Sequence, residues 1–143
     1  MPYHYLEDVA TADIAFEATG RDLPELFLAA ADATTNVMID NLEGIEPRDR
    51  RHIELSNDAI DMLLFDLLQE LIYFKDAELL LLRIRKVQID EKQGKYFLNA
   101  TAEGELLDAE RHHQRADVKA VTLHDFFVEK TNGGWKARVL LDI

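Results

Sequence analysis

Alternation turns two aspartates of this chain out of its core. In the terminal segment Trp135, Ala137, Val139, Leu141 and Ile143 alternate with Lys136, Arg138 and Asp142. If the apolar set faces inward, Asp142 faces outward. Ile143 follows directly, so its α-carboxylate stands beside the Asp142 side chain. Near the start, Ala12, Ile14, Phe16 and Ala18 alternate with Asp13, Ala15 and Glu17, which turns Asp13 outward as well. Should the two segments lie together, these anionic groups converge. Like charges held close repel, and a bound cation relieves them. Oxygen-only donors suit hard ions such as Ca²⁺, Mg²⁺ or Mn²⁺. In so acidic a chain the same aspartates also read as ordinary solvated surface.

Other residues offer other chemistry. Lys119, in Val118-Lys119-Ala120-Val121-Thr122-Leu123-His124, enters a strand and could meet a phosphate or an acidic partner; an edge charge is the plainer account. His124 has the chemistry of a general acid–base or of a hydrogen-bonding strand histidine. His112 and His113 are adjacent in a polar stretch. Adjacent side chains diverge on an extended backbone, so a solvated pair is favoured over a zinc site. The chain has no Walker loop, dinucleotide fingerprint, Gly-flanked nucleophilic serine or HExxH.

Composition narrows the classes. The chain has 143 residues, the size of a single domain. Lys and Arg number 16 against 28 Asp and Glu, a net charge of −12. That charge argues against unaided nucleic-acid binding, which needs clustered cations. Cysteine is absent, which excludes disulfides, thiol catalysis and cysteine zinc sites. The N-terminus lacks the pattern of a signal peptide, and the longest apolar run, Leu79 to Leu82, cannot span a bilayer. A soluble, cytoplasmic protein without a membrane partner is the expectation.

The elements that must position these residues follow from periodicity. Residues 12–18 read as a half-buried strand that Gly20 ends. Asp22 and Glu25 mark a helix start, with Pro24 tolerable in the first turn. Leu23, Leu26, Phe27, Ala30, Thr34, Val37 and Met38 keep helical spacing over about 23–40. A short strand near 52–56 precedes a second helix, capped by Ser56 or Asn57. Its stripe is Ile60, Leu63, Leu64, Leu67, Leu68, Leu71 and Ile72. From Leu79 the period becomes two, with a parity shift between Ile84 and Val87 that implies a bulge. A turn at Lys92-Gln93-Gly94 leads to a second strand, and 107–117 is a polar loop. Residues 118–130 form a third strand, and Asn132-Gly133-Gly134 is a hairpin turn into the last. The expected fold is a single α+β domain, a largely antiparallel sheet with two helices on one face.

These pieces together resemble the archease family. The matching residues are Thr11-Ala12-Asp13-Ile14 with Gly20, Leu63-Leu64 through Glu70-Leu71-Ile72-Tyr73, Gly104-Glu105, Lys119-Ala120-Val121-Thr122-Leu123-His124, and the terminal Asp142-Ile143. The resemblance covers nearly the whole chain in order. It implies an α+β activator of RtcB-type RNA ligases, which join RNA ends in tRNA splicing and repair. It implies assistance with ligase guanylylation, giving multiple turnover, rather than catalysis by the chain itself. It places a divalent metal (Ca, Mg or Mn) on Asp13, Asp142 and the Ile143 carboxyl end, and ligase activation on Lys119, with His124 in the same motif. RNA would be met only through the ligase. The family usually has a histidine before the TADI threonine, where this chain has Ala10. The competing readings are a metal-dependent phosphoester hydrolase using Asp13, Asp142 and His124, a general chaperone-like binding protein, and a calcium-binding module. The sequence leaves the oligomeric state open.

Overall fold

The computed structural model describes residues 2–7 and 13–143. Ala10, Thr11 and Ala12 lie outside the described residues. β1 (Tyr3–Leu6) and β2 (Asp13–Gly20) lead into α1 (Leu23–Met38). A 3₁₀ turn, Leu42–Gly44, precedes β3 (Asp49–Asn57) and α2 (Ile60–Glu78). β4 (Leu80–Lys92), β5 (Lys95–Leu106), β6 (Ala120–Thr131) and β7 (Gly134–Asp142) follow. The fold is α+β, and every described strand pairing is antiparallel.

The strands divide between two sheets, ordered β1-β2-β7-β6 and β3-β5-β4. α1 packs on β2 and β7 of the first sheet and on β4 of the second, while α2 packs on β6, β3 and β4. The two sheets therefore share one core. It is built from Phe16 and Ala18, Val139 and Leu141, the α2 leucines, and Leu98, Ala100 and Ala102 of β5.

Local chemistry explains the boundaries. Asp22 caps α1, its Oδ1 accepting the Glu25 N–H at 2.9 Å. α2 corrects the expected cap. Its N-cap is Ala59, with no side-chain cap bond, and Ser56 belongs to β3. Asn57 instead accepts the Ala59 N–H at 3.1 Å, one step before the helix. The β4 bulge falls between Ile84 and Lys86, at the expected parity shift. Gln93 and Gly94 both have positive φ, 52° and 75°, which the tight β4–β5 turn requires. Gly104 has a different reason to be glycine. A Cβ there would stand 1.7 Å from the Leu81 carbonyl oxygen, so β4 and β5 could not approach as they do.

Candidate functional site

β2 and β7 lie side by side, in register from Asp13↔Asp142 to Gly20↔Trp135. The inward set is Phe16 and Ala18 opposite Val139 and Ala137, all fully buried. The outward set includes Asp13, Glu17 and Thr19 opposite Asp142, Arg138 and Lys136. Asp13 and Asp142 are thus a directly opposed pair on one face, both half-buried. Side chains opposed in this way have Cβ atoms about 4.5–5.5 Å apart, and like charges there repel. Further along, the same face neutralises itself. Arg138 Nη2 lies 2.9 Å from Glu17 Oε2. The aspartate pair has no such described cation. Between these two pairs, Ala15 and Leu140 oppose each other and are buried, contrary to the outward exposure that alternation suggests for Ala15. They line a cleft with Leu6, Glu7 and Asp125.

β6 brings the remaining candidates to β7 from its other side. Ala120 is the register partner of Asp142, and the Lys119 N–H donates to the Asp142 carbonyl at 2.8 Å. Lys119 itself is exposed, immediately before the strand rather than inside it. The structure therefore brings Asp13, Asp142 and Lys119 to one end of the four-stranded sheet. It does not bring His124 there. β6 bulges between Thr122 and Phe127, with Asp125 at φ 54°. His124 lies in that bulge, exposed, with its Nε2 3.4 Å from Asp125 Oδ2. Its N–H donates to Thr122 Oγ1 at 3.3 Å.

Three buried polar residues, Glu105, His112 and Lys75, hold the segment that precedes Lys119. Glu105, at the end of β5, accepts from Arg111 and from the Glu46 N–H at 2.7 Å. His112 Nδ1 accepts the Asp108 N–H at 2.8 Å, so its proton sits on Nε2 and is donated to Glu105 Oε2 at 3.0 Å. His112 is therefore a buried loop fastener, not a solvated residue, whereas His113 is exposed. Burial would raise the Glu105 pKa, but the hydrogen bonds from Arg111, Glu46 and His112 bring it down to about 2. Lys75 of α2 reaches Asp117 Oδ1 at 2.5 Å and the Val118 carbonyl at 3.0 Å. Burial opposes its charge, yet the bonds to Asp117 and Asp76 hold its pKa above the ordinary lysine value. One signal pointed to it: Lys75 continues the Leu68, Leu71, Ile72 stripe at helical spacing, where an apolar residue is expected.

Among the described residues no three His, Asp or Glu side chains gather as a metal cluster. No described helix is long and apolar enough to cross a membrane.

Known proteins match this chain along its length. The model of the Archease protein family (MTH1598/TM1083) matches residues 3–143. Protein archease of Methanosarcina mazei is 40% identical over 142 residues, covering 99% of this chain and 95% of the relative. That of Pyrococcus furiosus is 39% identical over 134 residues, covering 93% and 94%. The solution structure of Methanobacterium thermoautotrophicum protein 1598 superposes with a TM-score of 0.85 at 38% identity, covering 99% of each chain. The crystal structure of a Thermotoga maritima archease, called a possible chaperone, shares the fold at TM-score 0.60 and 20% identity, covering 98% of each.

Proposed function

The chain belongs to the archease family, and from that premise we propose that it is a protein cofactor of an RtcB-type RNA ligase, promoting the ligase's guanylylation and multiple turnover. Beyond membership, the observation that supports this reading is the meeting of Asp13, Asp142 and Lys119 at one sheet end. Such a tip presents carboxylates and an ammonium on a rigid ladder, and preorganised charge is what an activator can offer another active site.

Asp13, Asp142 and the α-carboxylate of Ile143 are the groups that would hold a divalent ion. The donor set fits: all are oxygens, and the two aspartates oppose each other without a described cation between them. Such an ion supplies positive charge that polarises or neutralises phosphate oxygens. Lys119 neutralises a phosphate or an acidic ligase residue, and His124 offers a proton donor or acceptor from the bulge. The net charge of −12 suits docking on a basic RNA-binding surface, so RNA is reached only through the ligase. The Thermotoga relative is called a possible chaperone, and assistance to one enzyme is a specialised form of that role.

The test is ligase turnover. Untagged protein is mixed with its cognate RtcB-type ligase, GTP, Mn²⁺ and excess RNA bearing 3′-phosphate and 5′-hydroxyl ends. The expected result is a change from single to many joining events per ligase. Unchanged turnover of an active ligase would overturn the reading. Cleavage of a phosphoester without ligase would favour a hydrolase, and rescue of unrelated aggregating proteins a general chaperone.

A further inference from the structure

Lys75 is the one charged residue among the buried positions of α2. Burying an ammonium is costly unless its donors are filled; here Asp76, beside it on α2, takes one at 2.5 Å, and the others go to a single short segment. Lys75 Nζ donates to the Val118 carbonyl at 3.0 Å and to Asp117 Oδ1 at 2.5 Å. One helical face earlier, Gln69 Oε1 accepts the Val121 N–H at 3.0 Å. From the opposite side, the Asp142 carbonyl accepts the Lys119 N–H at 2.8 Å. Residues 117, 118, 119 and 121 are therefore each tied down, and the exposed side chain between them is that of Lys119.

We propose that Lys75, assisted by Gln69, is a positioning residue for Lys119: Lys75 holds the chain just before Lys119 and Gln69 holds it just after, so that Lys119 leaves the end of β6 in one direction beside Asp142. The proposal rests on the ligase reading for its purpose, but the clamp is a property of the chain alone. A helix dipole or general packing role would explain a lysine in the last turn of α2. Neither explains why its bonds beyond α2 go to the two residues that precede Lys119. The loop's start is separately fastened by Glu105 and His112, so the clamp acts on the loop's exit into β6.

The experiment combines amide hydrogen exchange with ligase stimulation. Lys75→Met keeps the apolar stem and removes the donors. The expected result is faster exchange at the Lys119 and Val121 amides, with the β6–β7 ladder beyond the bulge still protected. Stimulation is expected to fall about tenfold, within the range found when a supporting contact is lost. The double variant Lys75→Met with Lys119→Ala should be no worse than Lys119→Ala alone, because both remove the same function. Unchanged exchange, or additive losses of stimulation, would overturn the clamp. Should Lys75→Met not fold, Gln69→Leu, at a half-buried position, releases the Val121 amide by itself and is read in the same way. Wild-type protein that leaves its ligase unstimulated overturns the ligase reading and the clamp's purpose, while exchange still decides whether the clamp exists.

Discussion

Asp13 and Asp142 oppose each other directly across a ladder, a placement that costs stability unless something offsets it. Glu17 and Arg138, on the same face, show the ordinary solution: an ion pair at 2.9 Å. The aspartates lack it, and a divalent cation would supply it. In metal-free protein, Asp142→Asn should therefore leave the fold intact and raise stability, by up to about 1 kcal/mol. On the proposed metal site, Ca²⁺ should stabilise the wild type and not this variant, since only the folded state presents both carboxylates together. Thermal melts in chelator and in Ca²⁺ measure both effects. An equal Ca²⁺ gain in variant and wild type would exclude the pair as the site. Alternation sufficed to turn both aspartates outward, because one face of a strand must meet the core. It said nothing of Lys75, whose partners outside α2 lie 42 and 43 positions away.

At the scale of elements, the 107–117 loop depends on β5 through Glu105. The carboxylate is buried, and it accepts from Arg111, His112 and the Glu46 N–H. Its pKa in the fold, about 2, lies below the ordinary 4.5. A depressed carboxylate pKa stabilises the fold fully above the ordinary value. That contribution is lost as pH falls from about 4.5 toward 2. Glu105→Gln should then be less stable than wild type at neutral pH, by about 2 kcal/mol for lost charge-assisted bonds. The difference should shrink near pH 2.5, and urea unfolding at the two pH values reads it. A gap that persists in acid would mean that packing, not charge, is lost. Both helices, the β4 bulge and the two hairpins were legible because each announces itself within a few neighbours. β1 was not, since four residues, Tyr3–Leu6, carry too short an alternation to stand out. The α2 start was misplaced because Asn57 bonds the Ala59 N–H from outside the cap position.

For the whole molecule, charge and chain ends matter together. An acidic protein meeting a basic ligase surface associates through screened Coulomb attraction. On the proposed metal site, a segment fused after Ile143 would remove one carboxylate donor. Such a fusion should, like Asp142→Asn, lose the Ca²⁺ stabilisation, and it should lower ligase stimulation; a fused protein that stimulates fully would remove Ile143 from the proposed site. Sequence patterning also led to one antiparallel sheet, whereas the strands form two that share a core. Hairpin partners are set by short turns. Which hairpin then accepts β1 and β2, and which accepts β3, depends on how the helices cover both sheets.

By itself, then, the sequence determined the class, the helices, the hairpins and the outward faces of Asp13 and Asp142, because periodicity and turn chemistry act between near neighbours. Only the tertiary structure decided that these aspartates are opposed, that His124 sits apart in a bulge, and that Lys75 holds the approach to Lys119. Those facts follow from strand register and from contacts between distant segments, where burial and pairing, not local spacing, set the outcome.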